Sequence, residues 1–494
     1  MVETALIIRR SREISLQSCT APHIRCGRQP RCFLSLAFRV LKLISSIAVL
    51  ASGAASCGPA KPVLVYVPAS IAIDPTHAPR KSTVINSGSH SFWEAMANLD
   101  TGFISRHEVS ESQREFAKAL GLVMSGRHED AALALDGVRA TAVDSNVVTA
   151  SRILMTAMLQ YSDNWKLLAE LDSMGRRNTA TSGASDKAGV ESWAAAFRRV
   201  PPRRMTFPEK PVVLPLLLSP SGIPMIEVTV EGKRHAFWLD TGSSMSILSA
   251  GVAAECGIKP LTPDTLEVAT TTGRVPAQAG AIARLQLGGI DIRNTTALIV
   301  SNERMQVRIG DAFGVPAIVQ IEGVVGYDII SRLDIRIDYI NHRVTMMRPE
   351  PNAKLPRTGR NLFWIGTPVV RLVTSKGVPL HFNLDTGAQE TYSTDGLLIK
   401  TKARTFRGER RLVGGLAGIA IVHGRFVDEL RATMGGQALV LRKVLVFAPA
   451  FSSFVSLDGI LGSDVGKSGT VRIDATNGLF LLESSRGQGL RKGS

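Results

Sequence analysis

The triplet Asp-Thr-Gly occurs three times in this chain of 494 residues, and the copies at positions 240–242 and 385–387 are followed by similar sequences. Each of these two copies follows an apolar run ending in leucine, which is typical of a strand that leads into a turn. Two carboxylates a few ångströms apart cannot both ionise cheaply, so such a pair shares one proton. One carboxylate can then take a proton from water while the other polarises a carbonyl group. Asp240 and Asp385 are therefore the candidate catalytic residues.

The sequence that follows each triplet is also repeated. Residues 322–328 and 458–464 both have the pattern acid-Gly-apolar-apolar-Gly-x-Asp. Their first glycines lie 323 − 240 = 83 and 459 − 385 = 74 residues after the aspartates. Gly-Gly pairs at 288–289 and 435–436 stand at similar offsets inside the two units. The shared order of these motifs predicts a duplicated structural unit.

These motifs resemble those of the aspartic proteases of the retropepsin and pepsin group, from about residue 211 to 483. The resemblance implies a mainly β, double-lobed fold with two pseudo-symmetric lobes, here preceded by a small α-helical domain. Each lobe would bring one Asp-Thr-Gly to the centre. The segments 324–326 and 460–462 match the family segment that passes beneath each triplet. No cofactor and no metal ion is expected.

The other residues of the two triplets are expected to support the catalytic loops. Thr241 and Thr386 supply hydroxyl groups that can bond across to the opposite loop. Gly242 and Gly387 let the backbones approach closely, because glycine has no Cβ atom.

The residues after the triplets differ between the two copies. Ser243 offers a hydroxyl group that could bond the Asp240 carboxylate, whereas Ala388 offers none to Asp385. A hydrogen bond to the charged form lowers a pKa. We therefore expect Asp240 to favour the carboxylate and Asp385 to hold the shared proton.

Two segments stand where hairpins that close over a substrate would fall. They are residues 271–274 and 414–418, which precede the Gly-Gly pairs. Neither contains the tyrosine that is typical of the pepsin flap, so the resemblance favours closure in the retropepsin manner.

Residues 1–57 are interpreted as a leader. Arg39 and Lys42 end a basic region, and a short apolar stretch and small residues then lead to Cys57. The apolar stretch is too short to span a bilayer as a mature helix. Ala54 to Cys57 resembles a bacterial lipoprotein signal with lipidation at Cys57, and ordinary signal-peptide cleavage near Ala55 is the alternative. Both place the protein outside the cytoplasm of a bacterium, in the periplasm or anchored to a membrane.

Charge and cysteine content narrow the choice of partners. Positions 1–42 carry eight Lys or Arg and two Asp or Glu, and 43–57 are uncharged, so the net charge of the rest is 16 − (8 − 2) = +10. This charge is dispersed and lacks a dense basic tract, which argues against nucleic acid as a binding partner.

Only Cys256 of the five cysteines lies after the leader, so the mature chain cannot form an internal disulfide framework.

The remaining chain divides by composition and periodicity. A linker is predicted at 58–88 and an α-helical domain at 89–175, where apolar residues recur at helical spacing. The helical domain resembles tetratricopeptide-type hairpins, and a plain helical bundle is the alternative. Its expected role is to bind a protein partner. The predicted order continues with a linker at 176–210, lobe 1 at 211–350, an inter-lobe linker at 351–360, lobe 2 at 361–485 and a tail at 486–494.

The sequence therefore predicts an exported aspartic endopeptidase that cleaves protein or peptide substrates and is active as a monomer, because one chain supplies both aspartates. The competing hypothesis is a non-catalytic envelope protein that binds peptides or partners through a protease-like fold. The intact aspartate in both triplets favours catalysis.

Overall fold

The computed structural model describes residues 70–73, 88–178, 190–312, 315–351, 359–408, 411–415, 418–422, 424–448, 453–467 and 469–484. The predicted leader with Cys57, most of the linker at 58–88 and the tail at 486–494 lie outside these residues. In the part of the chain that the structure describes, no helix is long and apolar enough to cross a membrane.

The described part of the region 92–197 is mainly helical, and the apolar periodicity predicts this for 89–175. Its helices are α1 (Phe92–Ala97), a 3-10 helix (Thr101–Ser105), α2 (Glu111–Met124), α3 (His128–Thr141), α4 (Ser145–Tyr161), α5 (Trp165–Asn178) and α6 (Val190–Phe197). Helix α2 begins with a capping box, in which Ser110 and Gln113 bond each other's backbone N–H groups. Phe116 and Leu120 form the buried face of this helix.

The rest of the described chain consists mainly of strands. In chain order they are β1 (Ser70–Ile73), β2 (Arg204–Thr206), β3 (Val212–Pro215), β4 (Leu217–Leu218), β5 (Pro224–Val230), β6 (Lys233–Leu239), β7 (Ser246–Ser249), β8 (Leu266–Thr270), β9 (Gly273–Leu287), β10 (Ile290–Val300), β11 (Gln306–Ala312), β12 (Val315–Gln320), β13 (Gly323–Val325), β14 (Asp334–Asp338) and β15 (Arg343–Met347). They continue with β16 (Leu362–Trp364), β17 (Pro368–Thr374), β18 (Pro379–Leu384), β19 (Tyr392–Ser393), β20 (Thr405–Arg407), β21 (Arg411–Gly415), β22 (Gly418–Val422), β23 (Arg425–Met434), β24 (Gln437–Val446), β25 (Gly459–Leu461), β26 (Gly469–Asp474) and β27 (Leu479–Ser484). Short helices interrupt them at α7 (Ala250–Glu255), α8 (Tyr327–Ile330), α9 (Asp395–Thr401) and a 3-10 helix (Ser463–Gly466).

Two sheets have the same strand order. The first runs β2-β10-β7-β13-β6-β5-β9-β8, with β4 beside β5, and the second runs β1-β24-β19-β25-β18-β17-β23-β20, with β16 beside β17. Their parallel pairs also correspond, because β13 pairs with β6 as β25 pairs with β18. We call β4 to β13 the first lobe and β16 to β25 the second lobe. The mainly β fold class with a helical region ahead of it is confirmed.

A third sheet, in the order β27-β26-β14-β15-β3, contains strands that follow both lobes. Strand β14 pairs along its length with β26, so the ends of the two duplicated units are joined by backbone hydrogen bonds. This joint sheet holds the lobes in one arrangement.

Two segments predicted as linkers contain secondary structure, and these predictions are corrected. Strand β1 lies inside the predicted linker 58–88 and pairs with β24 at the edge of the second sheet. Helix α6 and strand β2 lie inside the predicted linker 176–210, and β2 pairs with β10 at the edge of the first sheet. Trp193 and Phe197 of α6 are buried, and Phe197 packs against Trp165 at 5.0 Å between ring centroids. Burial of these aromatic rings fixes the segment to the folded body.

Candidate active site

The two aspartates occupy equivalent positions in the two lobes. Asp240 follows the last residue of β6, and Asp385 follows the last residue of β18. The Asp240 N–H donates to the Val325 carbonyl at 3.1 Å, and the Asp385 N–H donates to the Leu461 carbonyl at 2.9 Å. The apolar-apolar-Gly segment therefore holds the start of each loop.

The two carboxyl groups lie side by side within hydrogen-bonding reach of each other. A Cβ atom placed on Gly242 would lie 2.4 Å from Cγ of Asp385, and one placed on Gly387 would lie 2.4 Å from Cγ of Asp240. Any side chain at either glycine would therefore displace the opposite carboxyl group. Glycine is required here by close approach of the loops.

The threonines of the triplets join the loops in a reciprocal arrangement. The N–H of Thr241 donates to Oγ1 of Thr386, and the N–H of Thr386 donates to Oγ1 of Thr241, both at 3.0 Å. Thr241 Oγ1 also donates to the Leu384 carbonyl at 2.9 Å, and Thr386 Oγ1 donates to the Leu239 carbonyl at 2.6 Å. Both threonines are buried, so water does not compete for these bonds.

Burial dominates the electrostatics of the aspartate pair. It raises the pKa of Asp240, although hydrogen bonds from Asp385 and from the Ser243 and Gly242 N–H groups act in the opposite direction. Burial and then the charge of Asp240 raise the pKa of Asp385 well above its ordinary value. The pKa of Asp385 is raised further than that of Asp240, which favours the shared proton on Asp385.

The prediction that the Ser243 hydroxyl bonds the Asp240 carboxylate is wrong. The Ser243 hydroxyl donates to the Met245 carbonyl at 2.6 Å instead of bonding the Asp240 carboxylate. Oδ1 of Asp240 accepts backbone N–H groups from Gly242 at 2.8 Å and Ser243 at 3.1 Å. A nearby carbonyl competes successfully for a serine hydroxyl in such a turn.

Behind each loop, a buried aspartate from the repeated motif bonds a hydroxyl residue. Asp328 Oδ1 accepts from Ser246 Oγ at 2.9 Å, and Asp464 Oδ1 accepts from Thr391 Oγ1 at 2.7 Å. Each hydroxyl also accepts the N–H of the motif glycine at 3.1 Å. Burial raises the pKa of Asp464 to about 6.

The segments predicted as flaps form hairpins. Strands β8 and β9 pair around a turn at 271–272, and β21 pairs with β22, while residues 416–417 between these two strands lie outside the described residues. A Cβ atom on Gly415 would lie 2.5 Å from Oγ1 of Thr272, so the hairpins meet near their tips. Val413 of β21 packs in an apolar cluster with Tyr392, against which Ala388 also packs. The second hairpin therefore lies against its own catalytic loop.

An ion pair reinforces this contact. Arg411 Nη2 on β21 lies 2.7 Å from Glu390 Oε2, and both side chains are less than a tenth exposed. The position that matches Glu390 in the first lobe is Met245, five residues after Asp240. The sequence analysis did not identify this ion pair. The available signal was a charged residue, Glu390, at a position where the other copy of the repeat has the apolar Met245.

The residues that the structure describes contain no group of three His, Cys, Asp or Glu side chains that could hold a metal ion. His128 packs edge-on against Tyr161, and burial together with Arg360 and Arg332 lowers its pKa to about 4. His235 Nε2 lies 3.5 Å from Cys256 Sγ.

Residues 226–314, which belong to the first lobe, match the family model described as "gag-polyprotein putative aspartyl protease". The crystal structure of aspartic proteinase from Irpex lacteus is similar at 15% identity and a TM-score of 0.33, covering 57% of this chain and 99% of that one. A retropepsin-like aspartic protease from Rickettsia conorii is similar at 17% identity and a TM-score of 0.19, covering 29% and 92%. No curated protein sequence matches the chain.

Proposed function

We propose that this protein is an aspartic endopeptidase whose two catalytic aspartates come from the two lobes of one chain. The observation that carries the proposal is the pair of Asp-Thr-Gly carboxyl groups, which lie within hydrogen-bonding reach and have raised pKa values. The reciprocal threonine bonds hold them in this position. The family match over residues 226–314 supports the same reaction class.

The difference in pKa between Asp240 and Asp385 assigns their roles in the first step of the reaction. Asp240, as the carboxylate, takes a proton from the attacking water, and the oxygen of that water bonds to the carbonyl carbon of the substrate. Asp385 gives its proton to the carbonyl oxygen, which yields a neutral tetrahedral intermediate. The C–N bond then breaks as the amide nitrogen receives the proton held by Asp240, and a hydroxyl proton of the intermediate returns to Asp385. The products are an amine and a carboxylic acid, and no cofactor enters the reaction.

One chain supplies both halves of this site, so we propose that the monomer is active. A protein with a single Asp-Thr-Gly has to dimerise to pair two aspartates. Here β14 and β26 join the two units within one chain.

The test uses a denatured protein substrate at acidic and neutral pH, with and without a pepstatin-type inhibitor. Asp240→Asn and Asp385→Asn should each lower turnover by roughly 100- to 10,000-fold, because either change removes the shared proton. Asp291→Asn, which changes a half-buried carboxylate on β10 that pairs with Arg284 and Arg293, serves as the matched control and should keep full turnover.

Near-normal turnover in either folded triplet variant would refute the catalytic assignment. Peptide binding by a wild-type protein that shows no cleavage would instead support the non-catalytic hypothesis. A specific activity that rises with protein concentration would contradict the monomer.

A further inference from the structure

The two buried aspartates behind the catalytic loops have different electrostatic partners. Asp328 and Asp464 occupy equivalent places and make equivalent bonds to Ser246 and Thr391. Within the described ranges, however, only Asp328 forms an ion pair, and its partner is Arg203. This ion pair therefore distinguishes Asp328 from Asp464.

Arg203 lies upstream of the first lobe, between α6 and β2. Its Nη1 donates to the Asp328 carbonyl at 2.6 Å, and its Nη2 lies 2.9 Å from Asp328 Oδ2. The side chain is only 5% exposed, so this contact is made away from water. A buried carboxylate that lost such a cation would keep its desolvation cost without compensation.

The other partner of Arg203 belongs to the helical region. Nη2 of Arg203 donates to Oδ1 of Asp163 at 3.1 Å, and Asp163 lies in the turn between α4 and α5. Arg332, just after α8, contacts Oδ2 of Asp163 at 3.5 Å and donates to the Tyr161 carbonyl. Asp163 thus binds two arginines that both reach the first lobe.

From Asp328 the contacts continue to the catalytic loop. Ser246 Oγ donates to Asp328 and accepts the Gly326 N–H. The next residue, Tyr327, donates its N–H to the Ser243 carbonyl at 2.7 Å. The Ser243 N–H in turn donates to Oδ1 of Asp240. A series of ion pairs and hydrogen bonds, linked by the peptide bond between Gly326 and Tyr327, therefore runs from the helical region to one catalytic carboxylate.

We propose that Asp163 and Arg203 are positioning residues for the loop that carries Asp240. The helical region, which contains Asp163, is then required for full activity of the active site. The proposal rests on the proposed function for its kinetic consequence. Asp163 orients the Arg203 guanidinium, which fixes Asp328 and, through Ser246, the loop. Within the described residues Asp464 has no such ion pair, and its Oδ2 accepts the Thr391 N–H at 3.0 Å instead.

The test compares Asp163→Asn, Arg203→Met and Arg203→Lys with Arg472→Met in the full chain. The Arg472 side chain makes a bidentate ion pair with Asp334 at 2.8 and 2.9 Å in the joint sheet, apart from the catalytic loops. It controls for the loss of a comparable ion pair. Each variant is assayed for kcat and KM per folded molecule, and for amide hydrogen exchange in the segment 239–246.

Asp163→Asn and Arg203→Met should lower kcat by about tenfold with little change in KM, because misplacement of a reacting group costs turnover. Arg203→Lys should restore part of the loss. The Gly242 and Ser243 amides, which donate to Asp240, should exchange faster in the first two variants. Arg472→Met should lower the melting temperature and leave kcat and this exchange unchanged.

The proposal is overturned if Asp163→Asn and Arg203→Met behave like Arg472→Met in both kcat and exchange. Asp163→Asn keeps the Arg203–Asp328 pair, so it remains informative if Arg203→Met does not fold. An inactive wild-type protein would refute the proposed function, and the exchange comparison would still decide whether these residues position the loop.

Discussion

Replacing Thr386 by valine should weaken the contact between the two lobes. Valine has nearly the same shape but no hydroxyl group. The change removes the bond that Oγ1 donates to the Leu239 carbonyl and the bond that it accepts from the Thr241 N–H. Two buried backbone groups thereby lose a partner, and each such loss costs about 1–3 kcal/mol. The free energy of unfolding should fall by about 2–6 kcal/mol.

The measurement is urea unfolding followed by tryptophan fluorescence. Trp238 is a useful probe, because it is buried in β6 two residues before Asp240. The matched control is Thr295→Val on β10. Thr295 is fully buried, and its hydroxyl has no hydrogen-bond partner in the part of the chain that is described. Its replacement should be neutral or stabilising, since an unpaired buried hydroxyl is itself costly.

The reasoning is refuted if the two valine variants differ by less than about 1 kcal/mol in free energy of unfolding. The same result would show that the loops are held by packing alone. Turnover gives a second check, because loosening this contact should displace one aspartate from the other and lower kcat.

Three further predictions concern the loops and their supports. Ser243→Ala should leave the acidic limb of the pH–rate profile unmoved, because the Asp240 carboxylate is bonded by backbone N–H groups and not by this hydroxyl; a clear upward shift would contradict that geometry. The pKa of Asp464 is raised from its ordinary value of 3.8 to about 6, so the folded protein binds this proton more tightly than the unfolded chain does. The protonated Asp464 therefore contributes fully to the free energy of unfolding below pH 3.8, and this contribution is lost as pH rises through about 6. In urea titrations Asp464→Asn should therefore gain stability relative to wild type between about pH 4 and pH 7, by roughly a few kcal/mol, and a constant difference would count against the raised pKa. In urea unfolding, Gly462→Ala should destabilise the protein by several kcal/mol or prevent folding, since its Cβ would lie 2.5 Å from backbone atoms. Gly121→Ala, in open space on α2, should be neutral or stabilising by up to about 1 kcal/mol in the same experiment.

The sequence was sufficient to predict the strands that carry the two aspartates and the segments beneath them. Those signals are local, because an apolar run, a small turn and a repeated glycine pattern each lie within a few residues. The duplication added long-range information, since two copies in the same order imply two similar folded units. The helical periodicity of residues such as Phe116 and Leu120 likewise depends only on neighbours along the chain.

The features that the sequence did not predict depend on residues far away in the chain, or on competition between nearby hydrogen-bond acceptors. Strand β1 has four residues and gains its hydrogen bonds from β24, so its own composition carries little signal. Among 58 lysines and arginines, nothing in the sequence marks Arg203 as the one that meets Asp328. The hydroxyl of Ser243 had two acceptors within reach, and only coordinates show that it chooses the Met245 carbonyl.

The pairing of β1 with β24 constrains the order in which the protein can fold. Ser70 lies opposite Arg442, so the two partners are 442 − 70 = 372 residues apart in the chain. Chains are synthesised from the amino end, and β1 has no partner in this sheet until nearly all of the second lobe exists. Closing so long a loop is slow. The edge of the second sheet should therefore be completed last, and until then the exposed backbone of β24 is open to pairing with another chain.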